Sequence, residues 1–448
     1  MQTIAAIASP PGQGAIALIR LSGLNAVSIA RNVFVPKRGA GAIASQPLEP
    51  RKAYFGAICD QGEIVDEVLL TVFRAPASFT GEDVVEIGCH GGILVSRRVL
   101  ELLLRSGATS APAGEFTRRA YLNGKLDLTQ AEAVMDIIGA QSDLALKAAA
   151  RQLEGRLGDW MRAFHDDLLD LLAHVEAYID FPEEDISPDT GAVMLGRLRE
   201  EMAELERLLA TAHHGRILRS GLRTVLSGPP NAGKSSLLNV LLGFDRAIVS
   251  PVPGTTRDVL EEAIMVKGWP VLLVDTAGIR DGADALEQEG ISRAKKQRDQ
   301  ADLVLHLFDA STGSPATLPE GGTGSLLVLN KADLPEHASW NSVDAVRISC
   351  VSQGGMAALE EAIVSKLQLC LGPTDVENDV SINARHQDCL TRSLHFLQAA
   401  EIAFTKNLPP EFVAEELRAA LAAAGEVVGR SDTEDLLGRI FSTFCIGK

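Results

Sequence analysis

At 448 residues, with 46% hydrophobic and only 4% aromatic side chains, the chain can build two or three cores from Ala, Leu, Val and Ile, a balance that leans to helices and parallel sheet. A formal charge of −17 excludes a surface coated for non-specific nucleic-acid binding, while leaving room for RNA held by a local basic patch or by a partner. Six scattered cysteines without C-x-x-C pairs argue against a disulfide frame or a close-spaced metal site, Pro10-Pro11-Gly12 breaks an N-terminus that has no basic leader, and no apolar run is long enough for a membrane span; a cytoplasmic setting is expected.

Residues 1–119 mix short β-like runs ("GAIALIRLSG", "DEVLLTVFRAP", "DVVEIGCHGG") with Gly and Pro punctuation and one helix around 93–105, which predicts a compact α+β domain. From 120 to 215 the pattern turns helical. Leu153, Leu157, Phe164, Leu168, Leu171 and Val175 form an apolar stripe, "DFPEEDISPD" interrupts it, and a further helix follows around 192–212. From 216 to 372, apolar strands alternate with helices ("GLRTVLSG", "PVLLVDTAG", "ADLVLHLFDA", "GSLLVLNKAD", "AVRISC"), the pattern of a doubly wound α/β unit with a parallel sheet. After Pro373 the chain is helical again. The economical reading makes 216–372 an insertion, and 120–215 with 373–448 one discontinuous helical domain.

"GPPNAGKS", Gly228 to Ser235, has the G-x-x-x-x-G-K-[ST] spacing between a predicted strand and helix. The loop amides of Asn231, Ala232, Gly233, Lys234, Ser235 and Ser236 can close around phosphate oxygens, Lys234 can neutralise β/γ charge, and the Ser235 hydroxyl can ligate Mg²⁺. A Gly-rich turn of no function is the bland alternative, but two further motifs follow in order. "DTAG" (Asp275, Thr276, Ala277, Gly278) ends a strand where a Walker-B type aspartate reaches the Mg²⁺ shell. "NKAD" ends a later strand, where Asn330, Lys331 and Asp333 can read guanine through a carboxylate that accepts from N1–H and the exocyclic amine. Together they have the order and spacing of translation-factor-type GTPases and predict GTP binding. "SPVPGTTRD", 250–258, lies where switch I does, with Thr256 as the threonine that closes on Mg²⁺. Ile279 stands where Ras-like proteins carry the water-positioning Gln; Asp281, Asp284, Glu287 and Glu289 are the candidates to replace it.

Beyond these motifs, "PPGQGAIALIRLSG", "SFTGEDVVEIGCHGG", "GEFTRRAYLNGKLDLTQAEA", "DFPEED" and "LLGRIFSTFCIGK" resemble the MnmE (TrmE) family of tRNA uridine-modification GTPases over nearly the whole chain. The resemblance implies an N-terminal α+β folate-binding-like domain through which family members form a homodimer, the discontinuous helical domain, and an inserted Ras-like P-loop GTPase domain. It implies K⁺-dependent GTP hydrolysis and, with the flavoprotein MnmG, addition of an aminomethyl or carboxymethylaminomethyl group at carbon 5 of the wobble uridine of certain tRNAs. By the same resemblance, Asn231 would ligate K⁺ with oxygens at Ser250, Val252 and Thr255, and Glu287 would position the attacking water. Ser349-Cys350 would form the last guanine loop, where the family usually has Ser-Ala. Arg20, Glu86, Lys125 and Lys448 would hold a 5-formyl- or 5,10-methylenetetrahydrofolate donor.

Isolated charges such as Arg20, Glu86 and Lys125 are ordinarily surface residues; the motif context reverses that preference. His90 reads as a turn histidine packed by glycines, "SRAKKQR" (292–298) as a solvated helix face, and "SDTED" (431–435) as a helix start. The tail "FSTFCIGK" has C-a-a-X spacing at Cys445, but Gly447 and Lys448 make a poor prenylation box. Its apolar residues suit docking, and Cys445 is a candidate nucleophile or a small buried thiol. A purely regulatory GTPase switch would be favoured by a KH or second G domain, of which there is no sign. A folate-dependent aminomethyltransferase would leave the GTP motifs unexplained.

Overall fold

A computed structural model of the chain describes residues 2–36, 48–180, 189–243, 261–275, 297–319, 322, 324–371, 380–430 and 434–448. The chain forms two compact units, Met1–Met135 with Gly425–Lys448, and Asp136–Ala424. In the first, β1 (Ile4–Ile7), β2 (Ile16–Ser22), β3 (Phe34–Pro36), β4 (Ala53–Asp60), β5 (Glu63–Phe73), β6 (Val84–His90) and β7 (Thr109–Ser110) make one sheet in the order β3-β4-β5-β6-β2-β1-β7. Strand alternation sends Ile19, Leu21, Leu70, Val72, Val85 and Ile87 to one face, where they form a core with α1 (Ala26–Val33) and α2 (Ile93–Arg105). The same period of two sends Arg20 and Glu86, cross-strand partners in the β2–β6 register, to the other face. Phe55 and Leu69, also register partners, lie on that second face about half exposed. Two further helices, α3 (Glu115–Leu122) and α4 (Leu128–Gly139), follow.

The second unit opens with α5 (Asp143–Leu153), α6 (Arg156–Asp180), α7 (Asp189–Ala210) and α8 (Ala212–Ser220). Ser142 caps α5 by accepting from the Ala145 N–H. The expected stripe is buried along α6 at Leu157, Phe164, Leu168, Leu171 and Val175, but Leu153 closes α5 instead, because the chain turns at Glu154–Gly155. The inserted α/β part contains β8 (Leu222–Ser227), α9 (Lys234–Gly243), β9 (Glu261–Val266), β10 (Trp269–Asp275), β11 (Leu303–Asp309), β12 (Ser325–Asn330), β13 (Val346–Arg347) and α10 (Met356–Leu371). Its sheet runs β13-β12-β11-β8-β10-β9 and is parallel except for β9, which pairs antiparallel with β10 at one edge and corrects the all-parallel expectation. Ala145 of α5 and Ile217 and Leu218 of α8 belong to the core under this sheet.

Two long helices close the unit, α11 (Ala384–Thr405), started by an Asn383–His386 capping box, and α12 (Pro410–Val428), which runs into the first unit. Helices before and after the α/β part are joined by ion pairs: Arg199 of α7 bonds Glu401 of α11 at 2.6 Å, and Arg418 of α12 bonds Glu176 of α6 at 2.6 Å. The last helix, α13 (Glu434–Ser442), belongs to the first unit, where Leu437, Phe441 and Phe444 pack with Leu128 and Ala131. Beyond it the tail docks by backbone bonds, Gly114 N–H to Cys445 O at 3.4 Å and Phe116 N–H to Lys448 O at 3.2 Å. Gly447 has φ +90, and a Cβ there would sit 2.6 Å from Ile7 O, so only glycine fits this close passage over β1.

Candidate functional site

The C-terminal edge of the parallel sheet gathers the nucleotide motifs because β8, β10 and β12 all point there. β8 ends at Ser227, the loop 228–233 turns, and α9 begins at Lys234, with Ser235 and Ser236 exposed in its first turn. Asn231 holds φ +63 and Gly233 φ +96. A Cβ at Gly233 would collide with Asn330 Nδ2, so the loop depends on glycine where it crosses the guanine motif. Lys234 curls over the loop and donates from Nζ to Gly228 O and Pro229 O, both at 2.9 Å. A helix N-terminus behind a loop this tight suits phosphate, and a serine hydroxyl beside it suits Mg²⁺. Asp275 ends β10 level with Leu226 of β8, beside the start of this loop.

On the guanine side, Asn330 is buried at the end of β12. Its Nδ2 donates to Ala232 O at 3.0 Å, and its Oδ1 accepts from the Cys350 N–H at 3.2 Å, so one side chain joins the phosphate loop to the guanine loop. Ser349 donates to Asp333 and accepts from the Ser352 N–H at 3.1 Å, which orients the carboxylate of the "NKAD" motif. Burial pushes the Cys350 thiol up, a bond with Asn330 opposes that, and Asp333 adds to it, leaving the pKa raised. Lys331 at φ +65 reaches Asp309 Oδ2 at 2.5 Å, a partner the motifs do not contain. The only signal for Asp309 in the sequence is its place at the end of a strand, two residues before Ser311.

Several expected residues lie outside the described ones: Ser250, Val252, Thr255 and Thr256 of switch I, Thr276, Ala277 and Gly278 after Asp275, and Glu287.

In the first unit, Arg20 donates to Glu86 Oε1 twice, from Nε at 2.9 Å and Nη2 at 2.7 Å, and its guanidinium lies over the rings of Phe79 and Phe116 at 5.6 and 5.8 Å. Phe116 also bonds Lys448 through its amide, so Arg20, Glu86 and the tail meet around one helix start. Lys125 is exposed, its stem beside Gly81. Cys445 is exposed, which removes the buried-thiol reading. Sequence reasoning missed Arg119, 3% exposed, which donates to Glu115, Glu82, Ser22 O and Gln2 O and so locks α3 to the segment before β1, the end of β2 and the 78–83 loop. His90 is exposed, not packed by glycines: its Nδ1 lies 2.6 Å from Asp66 Oδ1, and Asp66 Oδ2 accepts its amide. Among the described residues no group of acidic, His and Cys side chains could hold a metal by itself, and no helix is long and apolar enough to cross a membrane.

Two family models match the chain, "GTP-binding protein TrmE N-terminus" over residues 3–125 and "MnmE helical domain" over residues 128–445. The tRNA modification GTPase MnmE of Akkermansia muciniphila is 50% identical over 450 aligned residues, covering 100% of this chain and 99% of that one. The proteins of the same description from Listeria welshimeri and Syntrophotalea carbinolica are 43% and 42% identical, again over 100% of this chain and 99% of theirs. Among solved structures, Era of Aquifex aeolicus is 24% identical and covers 40% of this chain and 65% of that one, with a TM-score of 0.24, a likeness too slight to carry an argument.

Proposed function

This chain belongs to the MnmE family of tRNA modification GTPases, and from that premise we propose that its GTP hydrolysis is stimulated by K⁺ and serves, with a flavoprotein partner of the MnmG kind, the addition of an aminomethyl or carboxymethylaminomethyl group to carbon 5 of the wobble uridine. Lys234 and the amides of the 228–236 segment bind the phosphates, and Asp333, oriented by Ser349, reads the guanine edge. Ser235 and Thr256 would hold Mg²⁺; Asn231 with oxygens of Ser250, Val252 and Thr255 would hold K⁺. When bound there, these cations would supply positive charge to the phosphate oxygens. Glu287 orients the attacking water in place of the missing Gln. The bridge from Asn330 to both Ala232 and Cys350 is the observation that best supports one coherent nucleotide site.

A tetrahydrofolate one-carbon donor is assigned to Arg20, Glu86, Lys125 and Lys448. Both Arg20 bonds go to Glu86 Oε1, so Oε2 is the oxygen that would accept from a pterin edge, and Phe79 and Phe116 offer flat apolar surface beside it. Cys445, exposed near this cluster's tail, is the candidate nucleophile of the modification step. Homodimerisation is assigned to the first unit, supported by the half-exposed Phe55–Leu69 pair on its second sheet face. The division into 1–119, 120–215 with 373–448, and 216–372 belongs to the same proposal, as does a cytoplasmic setting. GTP turnover in KCl against NaCl at equal ionic strength tests the cation mechanism: faster turnover in K⁺ is expected, and equal rates would contradict it.

A further inference from the structure

β11 and β12 run parallel with Asp309 level with Asn330, so their side chains leave the same edge of the sheet as neighbours. Lys331 comes next in the left-handed region, at φ +65, an uncommon conformation for a residue with a side chain. Its ammonium meets Asp309 Oδ2 at 2.5 Å. The other oxygen, Oδ1, accepts from the Ser311 amide at 2.9 Å and the Ser311 hydroxyl at 2.6 Å. Thr312 donates to Asp309 O from both its amide and its hydroxyl, and Thr312 O in turn accepts from Nε1 of the fully buried Trp340 at 2.7 Å. The carboxylate is therefore held from behind by a turn anchored on the core. Burial pushes Asp309 up, but the bonds from Lys331 and Ser311 outweigh it and keep the carboxyl below its ordinary value.

We propose that Asp309 is a positioning residue for guanine binding, which holds the Lys331 ammonium at the sheet edge so that the lysine's methylene stem is preset as the apolar surface under the base. The stem of a lysine whose charge is tethered covers apolar area without the usual rotamer loss on binding. Without the tether, Lys331 samples its rotamers and the nucleotide has to order it. The inference rests on the guanine reading of the "NKAD" motif, which GTP turnover by the parent protein checks separately.

The test is titration of the full-length protein with a fluorescent GDP, alongside steady-state GTP turnover. D309N retains an acceptor for the Ser311 amide and removes the charge that tethers Lys331. It is expected to raise the GDP Kd and the KM for GTP by about tenfold, the scale of one charge-assisted hydrogen bond, with kcat within about twofold. K331M keeps an unbranched apolar side chain of nearly the same length, breaks the same pair from the other side, and is expected to weaken GDP to a similar degree. D309N added to K331M is expected to produce no further loss. S311A, which leaves the Asp309–Lys331 pair in place, is expected to bind GDP within about threefold of the parent. Parent-like GDP affinity in K331M, or a D309N loss that persists in full on top of K331M, would overturn the proposal. If D309N does not fold, K331M against S311A still decides, since equal losses in those two variants would make the pair a mere turn anchor.

Discussion

Gly233 has no space for a side chain. At φ +96, with Asn330 Nδ2 directly above, an added methyl group forces the phosphate loop away from the guanine loop. G233A is expected to lose at least about tenfold in GDP affinity, since backbone strain of this kind costs ~1–3 kcal/mol, while its far-UV circular dichroism stays that of the parent. Glu201 lies on α7 among other carboxylates. Burial first, then Asp167, Glu204 and Glu200, raise it to about 7 from 4.5, against a smaller pull from Arg197. A carboxyl raised by folding stabilises the folded state fully below its unfolded pKa, and that contribution is lost as pH rises through the folded value. E201Q is therefore expected to melt roughly 2 °C above the parent at about pH 8, with the gain fading towards about pH 5. An equal gain at both pH values would contradict it. The nucleotide motifs could be picked out in the sequence because each is contiguous and its chemistry local. Asp309 and Arg119 could not be, since Asp309 meets Lys331 22 positions away and Arg119 meets Ser22 97 positions away, contacts that only the sheet and the packed helix create.

Elements were readable in proportion to their length. The α6 stripe and the helix at Ile93–Arg105 carry enough turns for an apolar period to show. β7, of 2 residues, and β3, of 3, are too short to alternate visibly, and exist because longer neighbours pair with them. β9 begins with two glutamates, which hid an edge strand whose register with β10 runs from Val266 to Glu261. The last helix and tail are the element with the most to lose. Phe441, 2% exposed, and Phe444 have ring centroids 5.2 Å apart over Leu128 and Ala131. F441A is expected to cost the first unit about 3–5 kcal/mol, read as a lower urea midpoint. Loss of tail docking would also remove Lys448 O from the Phe116 amide. C445S separates structure from chemistry at the same element: GTP turnover like the parent's, with no tRNA modification, is the outcome expected if the thiol reacts, and full modification would exclude it.

For the whole molecule, the chain of β8, loop and α9 and the cluster of Arg20, Glu86, Phe116 and the tail belong to different compact units. Under the proposed function both are used, and a net charge of −17 is expected to leave much of the tRNA grip to a partner or to local patches. The sequence ties the two units together only because motifs in both fit a single family; Arg199–Glu401 and Arg418–Glu176 join α7 to α11 and α6 to α12, helices that lie far apart in the chain. Under the proposed function, hydrolysis at Lys234 and its loop serves wobble-uridine modification. Mass analysis of wobble uridines in tRNA from a deletion strain, complemented with the parent gene or with K234A, tests it most directly. The carbon-5 group is expected to vanish on deletion, return with the parent gene and stay absent with K234A. Wobble uridines that keep the group in the deletion strain would contradict a role for this GTPase in their modification.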